Sequence, residues 1–196
     1  MRCELIISLL ILSLAYGAPP KSQDEIIDQF LNYAEALHAV KIHNGLQISI
    51  KFVTDLANSV PAEHRGPGTA ALQEYISRTK EFLKHGNVSK MSDQYTLQNL
   101  FENLKENLDP TSKESEIILP GILDKQELTA KFAEEDEKVH TRFGEGARQI
   151  LPQLTRDTLI RASELIYLMG KYIKSEKLQE HEDLYKKILA VGRYYF

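Results

Sequence analysis

Cysteine is almost missing. The 196-residue chain has one, Cys3, so it can build neither an internal disulfide framework nor a Cys-rich zinc site. The small stapled scaffolds of secreted toxins, growth factors and Kunitz-type inhibitors are excluded with it. A charge excess is missing too. With 24 Lys+Arg against 28 Asp+Glu, a net charge of −4 and a pI near 5.9, there is no basic face with which to neutralise phosphates, which excludes a nucleic-acid binder. Long apolar runs are absent as well. The stretch from Leu5 to Leu14 is about ten residues, where a bilayer span takes ~20, and no later stretch is long enough to anchor the chain. The signature loops of common enzymes do not occur: no Gly-x-Ser-x-Gly elbow, no phosphate-cradling loop, no dinucleotide fingerprint. Gly66-Pro67-Gly68 and Gly144-Glu145-Gly146 are too short and lack the strand such loops need.

What is present begins with an address. Arg2, the apolar run Leu5–Leu14 and the small-residue end Ala15-Tyr16-Gly17 have the three-part pattern of a secretory signal, with cleavage expected between Gly17 and Ala18. Its removal takes Cys3, which excludes thiol catalysis, and one residue of each charge sign, Arg2 and Glu4, so the net charge stays −4. Residues 18–23 read as a short flexible leader. Asn87-Val88-Ser89 is a glycosylation sequon in an expected interhelical loop, with Asn87 the candidate acceptor. The protein is thus expected outside the cell. At 27% charged and 42% hydrophobic residues it is too apolar for a disordered chain. Its length is ample for a core that needs no disulfide.

From residue 24 to 196 the dominant signal is helical periodicity, read as a single bundle domain. Ile27, Phe30, Leu31, Ala34 and Leu37 recur at helical steps, with Ser22 or Asp24 as cap. Leu46, Ile48, Ile50 and Phe52 alternate at period two, yet Val53, Leu56 and Ala57 continue a helical stripe, and a lone strand has no partner, so a helix kinked at Gly45 is expected. Thr69 is placed to cap a helix ending at Gly86, and Ser92 to open one closed by Asp109-Pro110. Thr111 to Leu123 reads as an irregular loop with an apolar knuckle at Ile117–Leu119. Asp124 starts a long helix that Pro152 ends, and Thr155 or Asp157 caps the next. That helix, Leu159 to Ile173, is apolar enough to be expected as the most buried. The last ends in Tyr194-Tyr195-Phe196, which should pack on the bundle. The fold class is all-α, a helical bundle of five to seven helices without disulfides.

Two constellations could carry chemistry. Glu35 with His38 and Glu137 with His140 are Glu-x-x-His steps, which on helices could offer a di-metal carboxylate site. The acidic run Glu134-Glu135-Asp136-Glu137 is read more simply as a solvated face. His43, His64, His85 and His181 fall into no zinc pattern. No catalytic residue and no cofactor follow from this, and a non-enzymatic role is expected. The other constellation is apolar: Phe132, Phe143, Leu165, Met169 and Tyr172 could line a cavity between the long helix and the apolar helix. The sequence therefore points to a secreted binding protein, a carrier of a small apolar ligand. The alternatives are a factor that recognises an extracellular protein through a helix face, and the di-metal enzyme.

Overall fold

A computed structural model of the chain describes residues 22–86 and 91–195. The expected signal segment 1–17, most of the expected leader 18–23 and the Asn87 sequon lie outside the described residues. The fold is all-α, with no strand among the described residues. Its helices are α1 (Gln23–Ser59), α2 (Pro67–His85), α3 (Leu97–Asn107), α4 (Lys113–Leu123), α5 (Gln126–Ile150), α6 (Arg156–Arg161 and Ser163–Lys174, bent at Ala162) and α7 (Leu178–Tyr195). No described helix is long and apolar enough to cross a membrane.

Contacts within the chain cluster into two compact units, where the periodicity reads as one bundle over 24–196. The first unit takes the chain up to Lys41 and from Asp136 onward, and the second is Ile42–Glu135. The boundary leaves no mark in the composition because α1 and α5 pass through it as unbroken helix. No Pro, Gly or Ser linker is needed there.

In the first unit, Ser22 and Glu25 form a reciprocal capping box that starts α1. The Glu25 amide donates to Ser22 Oγ at 3.2 Å and the Ser22 amide to Glu25 Oε2 at 2.7 Å. Ile27, Leu31, Ala34 and Leu37 then line one face and close on Phe143 and Ala147 of α5, Leu165 and Met169 of α6 and Ile188 of α7. Gly146 lets α5 approach α1, since a Cβ there would lie 2.7 Å from the Tyr33 ring. Thr155 caps α6 by accepting from the Thr158 amide, and Pro152 sits in the 3-10 turn that ends α5. α6 is not buried all round. Leu165, Leu168, Met169 and Tyr172 face inward, while Ile160 and Tyr167 are 65% and 67% exposed on the other side. Tyr194, expected against the bundle, is 80% exposed, and Phe196 lies outside the described residues.

In the second unit α1 continues through Gly45 without interruption. Leu46, Ser49, Val53, Leu56, Ala57 and Val60 are buried at helical steps, so the period-two alternation is incidental. A helical glycine costs about 1 kcal/mol against alanine. Here the bare position faces the Phe132 ring, which a Cβ would meet at 3.4 Å. The segment expected as an irregular loop is helix α4. Ser112 caps it by accepting from the Ser115 amide, and Pro120 falls in the last turn. Ile118 from its apolar knuckle enters a core with Val53, Leu72, Tyr75 and Leu104. Ser92 opens only a 3-10 turn, Asp93–Tyr95, and Thr96 caps α3.

Thr69 does not cap α2. Helix α2 begins at Pro67, and its free amides are met by Glu114 from α4. That carboxylate, 4% exposed, accepts from the Gly66, Gly68 and Thr69 amides at 2.8, 3.1 and 2.6 Å and from Thr69 Oγ1 at 2.6 Å. Gly68 is required, because a Cβ would lie 2.5 Å from Leu108 Cδ2 and 3.2 Å from the Glu114 carboxyl carbon. Burial raises the Glu114 pKa, but the Thr69, Gly66 and Gly68 hydrogen bonds outweigh it and hold the carboxyl below its ordinary value. The unfolded chain therefore binds the proton more readily, so the contribution is full at neutral pH and is lost as the pH falls below the ordinary glutamate range. Glu114→Ala is expected to cost about 2–4 kcal/mol in denaturant unfolding at neutral pH, from the cap and the orphaned amides. The gap to the wild type should narrow in acid. A gap that persists unchanged at low pH would contradict the charged cap.

Candidate functional site

The five residues expected to line a ligand cavity fall in different units of the chain. Phe143, Leu165, Met169 and Tyr172 are buried core of the first unit, and Phe143 packs against Phe30 and Tyr172 with ring centroids 5.1 and 4.3 Å apart. Phe132 belongs to the second unit, half-buried against Gly45. The apolar stripes of α5 and α6 were sound as core positions. Helical periodicity alone does not distinguish a filled core from a lined cavity.

A cleft of about 460 Å³ does exist, in the second unit, between the later turns of α1 and the first turns of α5. Its floor is apolar: Leu128 is buried, and Ile48 and Phe52 are half-buried. Phe52 is braced edge-on by Phe101, with centroids 6.2 Å apart. Around this floor stand Lys51, Asp55, Asp124, Glu127, Lys131 and Glu135. Lys131 is engaged by Glu127 one turn away, and Asn44 donates to Glu135 at 2.8 Å. Asp55 and Asp124 make no side-chain hydrogen bond or ion pair among the described residues. The rim is thus acidic by two, with two free carboxylates over an apolar surface. Sequence reading missed this cleft, because its residues look like the ordinary polar edge of two amphipathic helices. Only the facing of α1 and α5 groups them.

The Glu-x-x-His pairs do not assemble. Glu35 accepts from Arg193 Nη2 at 3.1 Å, and Glu137 is exposed and within 3.5 Å of the Thr141 hydroxyl. No group of three or more ligating residues among the described ones could hold a metal. Two of these histidines do enter a different cluster, in the first unit. His38 Nε2 lies 3.3 Å from Glu182 Oε1, and its ring stacks on Tyr185 at 4.3 Å. His140 Nε2 donates to the Tyr172 carbonyl at 2.8 Å.

Asp136 is at the centre of that cluster. Three residues of its acidic run fit a surface helix, but Asp136 is 2% exposed and takes Lys41 on one oxygen and His181 Nδ1, at 2.6 Å, on the other. Lys41 also lies 3.7 Å from Glu182. Burial, then the Asp136 and Glu182 charges, push the Tyr172 phenol up. Burial, then Glu35 and Glu182, do the same to Tyr185. These charges answer one another, so the cluster is internally satisfied.

No protein-family model matches the chain, and no curated protein and no solved structure matches it. The class the fold defines is a disulfide-free, all-α protein of two compact units, one with an open cleft and one with a buried ionic cluster.

The Glu182 carboxyl is held down to about 2, first by the His38 hydrogen bond and then, against the opposing effect of burial, by the His38, Lys41 and Lys186 charges. In a carboxyl-resolved NMR titration Glu182 should have its midpoint near 2, and His38→Phe should move it up toward the ordinary 4.5. A midpoint unmoved by that substitution would show that His38 does not hold the carboxylate.

Proposed function

We propose that this is a secreted, non-enzymatic binding protein that carries a small ligand in the cleft of its second unit. The observation that carries the reading is the combination of an apolar floor, Ile48, Phe52 and Leu128, with a rim that leaves Asp55 and Asp124 unpaired. A volume of about 460 Å³ lies within the range of small-molecule sites, roughly 300–1,000 Å³. The ligand class is an apolar body with a cationic end. Apolar contact supplies affinity on the floor, and the carboxylates select the charge.

Octylammonium and octanoate have the same tail and opposite heads, and so separate the two contributions. By calorimetry octylammonium should bind and octanoate should bind more weakly. Asp55→Asn with Asp124→Asn should weaken octylammonium by about fivefold or less per carboxylate, as expected of exposed charges. Ile48→Asp should abolish tail binding while leaving the helical circular dichroism intact. Equal binding of the two heads, or binding insensitive to Ile48, would overturn the cleft as the carrier site.

A second reading, recognition of an extracellular protein through a helix face, is favoured by Ile160 and Tyr167, seven residues apart and both largely exposed on α6. Either role would be exercised outside the cell. Secretion rests on the pattern of residues 1–17. Expression in a eukaryotic secretion host should yield medium protein beginning at Ala18, with a glycosidase-sensitive mass at Asn87. Retention of the uncut chain inside the cells would refute that address.

A further inference from the structure

We propose that the first unit contains a proton-operated latch at His181, closed when the ring carries both of its protons. The argument starts from hydrogen-bond directions. His181 is 4% exposed in the first turn of α7. Its Nδ1 lies 2.6 Å from Asp136 Oδ2 on α5, and its Nε2 lies 2.9 Å from the Ser175 carbonyl at the end of α6. A carbonyl oxygen only accepts. Asp136 has the Lys41 ammonium from α1 on its other oxygen, and a carboxylate paired with an ammonium likewise only accepts. Both ring nitrogens must therefore donate, which only the imidazolium can do. A neutral ring has one N–H, and whichever bond it kept, the other nitrogen would turn a lone pair toward an oxygen in a place water does not reach.

The surroundings agree with a charged ring. From α1 the ring's neighbourhood receives Lys41, and His38 through Glu182. From α5 come Asp136 and His140, whose ring is stacked parallel on His181 at 4.2 Å and 10°. From α6 comes Tyr172, with centroids 5.2 Å apart. On α7 itself are Glu182, which Lys41, His38 and Lys186 face, the Tyr185 phenol and Glu180, which accepts from Ser175 Oγ at 2.9 Å and pairs with Lys177. Glu182, about a third exposed, is answered by Lys41, His38 and Lys186, whereas the buried Asp136 has only Lys41 on one oxygen and the His181 ring on the other. His140 is itself held in place by donating its Nε2–H to the Tyr172 carbonyl.

Closing the latch thus takes up a proton and ties four helices: α1 through Lys41, α5 through Asp136, α6 through Ser175 and α7 through His181. Rising pH removes the proton, breaks one of the two ring bonds and frees the first turn of α7 from the Ser175 corner. The device is independent of what the cleft binds.

Long-range ¹⁵N-edited NMR of the full chain reads the ring directly. At about pH 6 both His181 nitrogens should be of the protonated type, and a neutral tautomer there would overturn the proposal. Amide exchange supplies the second readout. Relative to intrinsic rates, protection at residues 180–184 should fall as the pH is raised and the ring loses its proton, by up to about tenfold per pH unit for one proton. Protection in α2 should not change. His181→Gln should lower protection at 180–184 and remove its pH dependence. Flat protection in the wild type would refute the latch, and this test and the NMR test need no variant.

Discussion

The first unit depends on a buried carboxylate that is never left alone. Asp136 sits where four helices meet, and removing water from it would be prohibitive without the Lys41 ammonium on one side and the His181 ring on the other. Removing one partner from such a buried set costs about 3–5 kcal/mol, because the remaining charge stays in a place that cannot solvate it. The packing of Tyr172, His140, Tyr185 and His38 follows from that centre. Each ring either covers a member of the cluster or fills the space beside it. A purely apolar join would tolerate sliding of α7 along its neighbours. A carboxylate with two directional partners does not.

The second unit solves the same problem by another route. Glu114 makes no ion pair among the described residues. It is stabilised by the amides at the start of α2, which are unsatisfied donors at the positive end of a helix dipole. One residue in the first turn of α4 therefore caps α2, and Gly68 is the clearance that lets it in. The two carboxylates differ in their partners: Glu114 has backbone amides and the Thr69 hydroxyl, whereas Asp136 has an ammonium and a histidine ring.

Under the proposed function, the roles are separated within the chain. The apolar residues most conspicuous in the sequence, Phe143, Leu165, Met169 and Tyr172, are consumed in close packing. Surface able to meet a ligand is left instead where two amphipathic helices diverge enough to expose Ile48, Phe52 and Leu128 between charged edges. The residues around the cleft include no histidine.

Much of the fold was legible because helices are written locally. Periodic Ile27, Leu31 and Leu37, the cap at Ser22, Pro152 as a terminator and Thr155 as a starter all act within a turn or two of themselves. The same locality explains the misreadings. Pro120 and Gly121 resemble a loop, yet tertiary burial of Ile118 sustains helix there. Period-two alternation after Gly45 resembles a strand, yet there is no strand among the described residues to pair with it. The division into two units, the capture of α2 by Glu114 and the meeting of Asp136 with His181 link residues 45 or more positions apart. No periodicity records such pairs. By itself the sequence determined that this is a cysteine-poor, all-α chain and which faces of its helices are apolar, because those depend on residue spacing. Tertiary structure alone decided which polar residues are buried and where a cleft opens, because desolvation and hydrogen-bond partners exist only once distant helices are brought together.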